Sequence, residues 1–204
     1  MFQPESSVPN GSIVTIKNKT GDEITVDESQ LIANSNYFKW ALGSPKSHPE
    51  VYSLEIKSEF ATKTSLITFQ HWLNHRTPAL ALDDHRDQGE DQLLNKFLNL
   101  VDSFLFGQAI QAKNFQEFII HEIHETCASH SDDGRLCDVI PKIWEHIPQD
   151  SGSVLQILMY DKFYEILGEL NPAELAEALK DCEEPFRTQA TLYIVHKMNG
   201  GHVG

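Results

Sequence analysis

The chain has 204 residues, with 16 Lys or Arg against 30 Asp or Glu, for a formal net charge of −14 with His neutral. At 40% hydrophobic and 23% charged, its composition is that of an ordinary globular protein, neither disordered nor fibrous. So acidic a balance speaks against binding nucleic acid or an anionic membrane, because both are normally met by clustered Lys and Arg. Cys127, Cys137 and Cys182 are odd in number and form no C-x-x-C pair, so neither a disulfide framework nor a zinc ribbon is expected and a reducing compartment is implied. Residues 1–11 read as a flexible polar tail without the features of a secretory signal, and no stretch approaches the about 20 apolar residues of a membrane span. The expectation is a soluble protein of the cytoplasm and/or nucleus.

Ile13 to Lys17 and Glu23 to Val26 are period-2 runs flanking the turn-rich Asn18-Lys19-Thr20-Gly21-Asp22, which predicts a β-hairpin. Leu31, Ser35, Phe38 and Leu42 then recur at helical spacing, broken into two short helices around Ser35-Asn36 and stopped at Gly43. Val51 to Ile56 alternates, with Tyr52, Leu54 and Ile56 on one face, and predicts a third strand. Residues 58–76 return to the helical period, and the charged run from Asp83 to Asp91 predicts a solvated loop. Leu94, Phe97, Leu98, Val101 and Leu105 mark a further helix, and Phe115, Phe118, Ile119 and Ile123 another, capped by Asn114. Polar residues and Gly cluster from Ser129 to Arg135, which predicts a boundary there. Beyond it a short helix runs from Leu136 to His146. A second, over about 153–167, turns Leu155, Leu158, Met159, Phe163 and Ile166 inward. Asn171-Pro172-Ala173-Glu174 is a helix start, and a last helix spans about 185–197.

This order of elements, and the residues within it, resembles a BTB/POZ domain of the form found in many fungal proteins. The resemblance rests on Leu31-Ile32-Ala33-Asn34-Ser35-Asn36-Tyr37-Phe38, similar to the family's leucine, serine, tyrosine, phenylalanine helix pair. The strand Val51 to Ile56 and the helix carrying Phe69-Gln70-His71-Trp72-Leu73-Asn74 support it, as do Leu98 to Phe104 and Phe115 to Ile120, which sit where the family has its alanine, aspartate, lysine helix and the helix after it. The segment from Val139 to Asp161 also resembles the C-terminal helices of fungal members. The implied fold class is α+β: a BTB/POZ-like domain over 12–128, with three short strands and a helical cluster, then an all-helical extension over 136–198 packed on it and a tail over 199–204.

The resemblance implies a non-enzymatic protein-interaction module that associates with itself, with another BTB protein, or with a cullin-type ubiquitin ligase as a substrate adaptor. Cullin-binding members carry a hydrophobic-x-glutamate feature before the third strand, where this chain has His48-Pro49-Glu50. With Tyr37 and Phe38 these three are the candidate partner-binding residues. The chain departs from the family at Gly11-Ser12, where an aspartate is usual, at Asp27-Glu28, where a histidine is usual, and at Ser103, where a lysine is usual after Asp102. Dimerising members build a charged pocket partly from such residues, so these departures speak against homodimerisation by that route.

The competing chemistry is a metal-dependent hydrolase on His121-x-x-His124-x-x-Cys127-x-x-His130, with Glu122 and Glu125 interleaved. At about 100° per residue, four side chains three apart spread over about 180° of a helix and do not converge on one ion. His121-Glu122-Ile123-His124-Glu125 also lacks the i, i+4 histidines of the HExxH zinc motif. The bland alternative sets Cys127 near Ile123 on a buried face and leaves His121 and His124 solvated. No G-x-S-x-G, Walker A or G-x-G-x-x-G occurs, and Asp132-Asp133 and Glu183-Glu184 read as solvated charges. Trp40, Trp72 and Trp144 lie in helical segments and read as core or interface residues. No catalytic residue, metal ligand or cofactor is assigned.

Overall fold

The computed structural model describes residues 12–42, 52–76, 90–130, 135–148, 153–167 and 172–199. By its contacts the chain divides into two units, Met1–Ala81 with Asp102–Phe118, and Leu82–Val101 with Ile119–Gly204. These bounds differ from the division expected between 128 and 136.

The first unit is an α+β arrangement around a three-stranded mixed sheet. Strands β1 (Ile13–Lys17) and β2 (Glu23–Asp27) pair antiparallel, with Ile13 opposite Asp27 and Ile16 opposite Ile24. Alternation of side chains puts Val14, Ile16, Ile24 and Val26 on one buried face. The loop between them is held by Asn18, which is buried. Its Oδ1 accepts from the Asp22 amide at 2.8 Å and the Thr20 amide at 3.1 Å, and its Nδ2 donates to the Ala61 carbonyl at 2.9 Å. Gly21 supplies the left-handed residue of this turn, at φ +90°.

Helices α1 (Glu28–Asn34) and α2 (Asn36–Leu42) carry the chain over to β3 (Tyr52–Glu55), which lies parallel to β1 on its free edge and gives the order β2-β1-β3. Asp27 caps α1, its Oδ1 accepting from the amides of Ser29 at 2.8 Å and Gln30 at 3.3 Å. The predicted break falls at Ser35, which ends α1 and starts α2. Its hydroxyl accepts from the Phe38 amide at 3.2 Å and donates to the Ile110 carbonyl.

Helix α3 (Lys63–His75) starts at Thr62, whose hydroxyl accepts from the Ser65 amide at 3.1 Å. Helices α4 (Glu90–Ala109) and α5 (Lys113–Ala128) follow. Asn114 does not cap α5: the helix already begins at Lys113, and the turn is closed by the Phe115 amide donating to the Ala112 carbonyl at 3.1 Å. A Cβ on Gly107 would lie 2.9 Å from Phe115 Cδ1, so α4 and α5 come together at a residue with no side chain. Phe69 of α3 is the hub of this unit's core. Its ring centroid lies 5.1 Å from that of Phe115, 5.7 Å from Phe106, 5.9 Å from Trp72 and 6.4 Å from Phe38.

In the second unit, α6 (Arg135–His146), α7 (Ser153–Leu167), α8 (Pro172–Ala178) and α9 (Glu184–Met198) are all helical, as expected, and α8 begins at the predicted proline. Asn171 lies outside the described residues. The core here is a second aromatic cluster: the Phe186 ring sits 5.2 Å from Phe163 and 5.7 Å from Trp144, and Tyr160 lies 5.5 Å from Tyr193. The Tyr193 hydroxyl donates to Asp161, which also receives Lys197 Nζ at 3.0 Å, so α9 is tied to α7 by charge as well as by packing. Along α7, Leu155, Leu158, Met159 and Phe163 are buried as predicted, with Leu167 rather than Ile166 completing the stripe. Among the described residues no helix is long and apolar enough to cross a membrane.

Candidate partner-binding surface

Of the five residues the sequence singles out for partner binding, His48, Pro49 and Glu50 lie outside the described residues. The other two stand on α2 in different environments. Phe38 is fully buried and packs against Phe69, so it belongs to the core and offers a partner nothing; that expectation is corrected. Tyr37 is half-buried, with its ring edge-on to Phe38 at 5.2 Å.

Trp40, which the sequence reads only as a core or interface residue and which is not among the five candidates, is 82% exposed. It stands two positions beyond Phe38, about 200° around the helix, so burying Phe38 and Leu42 turns it outward. That spacing was the available signal. Burying an indole takes a large apolar area out of water and still leaves an N–H for a partner, which is why Trp is enriched at the centres of interfaces. Ile13 on β1 and Ile67 on α3 are exposed large apolar residues of the same unit, at 49% and 42%. Trp72 and Trp144, by contrast, are core residues at 4% exposure each.

The run from His121 to His130 does not assemble. His121 is exposed, and Nδ1 of His130 donates to the Thr126 carbonyl at 2.9 Å. Cys127 and Ile123 are buried, and desolvation pushes the Cys127 thiol up to about 11, so it stays protonated at neutral pH. His124 is half-buried rather than solvated, and burial, reinforced by the charge of Lys162, holds its imidazole below the ordinary range. Among the described residues no group of three His, Cys, Asp or Glu is placed to hold a metal ion. Asp132-Asp133 lie outside those residues. Glu183 and Glu184 are exposed, and Glu184 pairs with Arg187.

Glu122 is the unexpected member of the run, buried at 6% exposure between Ile119 and Thr126 on the inward stripe of α5. Desolvation raises its carboxyl above the ordinary 4.5, against the opposing charges of His121 and Lys96. An acid whose folded pKa is raised binds its proton more tightly folded than unfolded, so its ionisation subtracts stability as pH rises. Glu122→Gln is therefore expected to raise the unfolding midpoint at pH 7, with the gain disappearing below 4.5, where both states carry the proton. Chemical denaturation at both pH values checks this; a variant less stable than wild type at pH 7 would show that the carboxylate is held by attraction.

No protein-family model matches the chain, and no curated protein matches it.

Proposed function

We propose that the chain is a non-enzymatic protein-interaction module of the BTB/POZ type, acting through association with a second copy or with another protein. The observation that carries this reading is Trp40, a large aromatic side chain left 82% exposed on α2 of the sheet-bearing unit. The element order β1, β2, α1, α2, β3, followed by helices, supports the fold side of the reading, since it is the order that the resemblance implies. So does the place of Ser35, whose hydroxyl joins the helix pair to the turn after α4. The run from His121 to His130 lends the hydrolase alternative no converging ligands.

Light scattering on the full chain, from sub-micromolar to tens of micromolar, tests the self-association form. A mass approaching twice the 23.1 kDa of the chain is expected. A strict monomer throughout would overturn that form. The cullin-adaptor reading turns on His48-Pro49-Glu50; binding of a cullin N-terminal fragment that is lost in Glu50→Ala would favour it.

A further inference from the structure

The helical unit carries an apolar surface that its own helices leave open. On α9, Phe186, Ala190, Tyr193 and Ile194 are buried, the single inward stripe of a packed helix. Yet Leu192, Val195 and Met198 are also apolar, and they stand 61%, 49% and 60% exposed. A helix that is apolar on more than one side is normally enclosed. Thr191, Val195 and Met198 repeat at three or four residues and line, with Leu175 of α8 and Leu179 just beyond its end, a groove of about 520 Å³. Arg187 also lines this groove, but its guanidinium is already paired with Glu184.

The opposite flank of α8 borders a second cleft, of about 760 Å³, and that one is acidic. Asp138 and Glu145 from α6 meet Glu177, Asp181 and Glu183 there, around Cys137 and Cys182, with Lys142 also on the wall. Lys180, nearby, is already paired with Glu177 at 3.1 Å. The crowding of negative charge is felt by the groups within the cleft. Behind burial, Glu183 helps push the Glu145 carboxyl up, and after burial and Cys137, Asp181 and Asp138 help raise the Cys182 thiol.

We propose that α8 and α9 form a docking face for a helical segment of another protein, with apolar side chains on one side to fill the groove and Lys or Arg along its flank to meet the acidic cleft. Charge selects this occupant over the others. A second copy seated on this face through the same face would bring Asp138, Glu145, Glu177, Asp181 and Glu183 against their own counterparts, and an acidic segment would meet the same repulsion. The inference stands on the helical unit alone and does not depend on the BTB/POZ reading.

The test is fluorescence anisotropy with the full chain and a labelled amphipathic peptide of leucine and lysine, its leucines on one helical face. Saturable binding that weakens with salt is expected, at least about tenfold weaker for the double variant Val195→Asp with Met198→Asp and weaker again when Asp181→Lys is added. The two groove positions are 49% and 60% exposed, so the substitutions leave the core untouched, and circular dichroism verifies this. A peptide with glutamate in place of lysine is expected not to bind. The proposal is overturned if the lysine peptide fails to bind, if the groove variant binds it as well as wild type does, or if the glutamate peptide binds equally. A dimer that dissociates in the groove variant would also overturn it, by assigning the face to a second copy.

Discussion

Phe69→Ala is expected to lower the stability of the sheet-bearing unit by about 3–5 kcal/mol, the range for truncating a fully buried aromatic. The size follows from position. Phe69 is completely buried and its ring is shared by α2, α4 and α5, through Phe38, Phe106 and Phe115, with Trp72 beside it on its own helix. Removing the ring empties the point where three elements meet, and none can close over the space without drawing away from another. Domain stabilities are about 5–15 kcal/mol in total, so this one change consumes a large part of the margin. Denaturant titration monitored by the tryptophan signal measures it. Phe69→Leu, which keeps most of the volume, should cost under about 1.5 kcal/mol; equal losses for both would mean that the ring geometry, and not the filled volume, holds the cluster.

Ser35→Ala ranks next, and here the mechanism is polar. Ser35 is buried at 3% exposure, and its hydroxyl serves two backbone groups, accepting from the Phe38 amide and donating to the Ile110 carbonyl. Alanine fits the space but leaves both groups without that partner. An unsatisfied buried group costs about 1–3 kcal/mol, so a loss of about 2–4 kcal/mol is expected. Hydrogen exchange gives a residue-specific reading, since the Phe38 amide should lose its protection more than its neighbours on α2. A loss below about 0.5 kcal/mol, the range for unremarkable surface changes, would show that the two backbone groups find other partners.

Much of this unit was legible before any coordinates. The hairpin was, because period-2 runs met at Asn18 to Asp22, whose side chains and glycine build their own turn. The helix break at Ser35 was, because a serine at a buried helical position must find a partner outside the apolar pattern. The place of the division between units was not. Leu93, Phe97, Leu100, Val101, Phe104 and Leu105 continue the buried stripe of α4 without interruption, so no shift in composition marks Asp102. Phe38 and Trp40 show the limit of a motif that names residues without directions. Both are aromatic and two apart, yet one is core and the other surface, and only the angle around the helix separates them. Glu122 was hidden differently: it stood out only as an acid interleaved in the candidate metal run, although its spacing from Ile119 and Thr126 places it on the inward stripe. The open face of α8 and α9 was invisible to periodicity, because Leu192, Val195 and Met198 look like ordinary core residues until the packing of the described residues leaves them 61%, 49% and 60% exposed.

In the self-association form of the proposed function, the exposed Trp40 of one copy is buried against a second copy. This is tested most directly by measuring mass and unfolding midpoint together for wild type and Trp40→Asp. Because the indole is 82% exposed, the substitution should change the stability of the folded chain by no more than about 0.5 kcal/mol. Wild type is predicted to reach twice the chain mass at tens of micromolar, and the variant to remain a monomer with its midpoint unchanged. A wild type that stays monomeric, a variant that assembles like wild type, or one that loses assembly only because it unfolds would contradict self-association through Trp40.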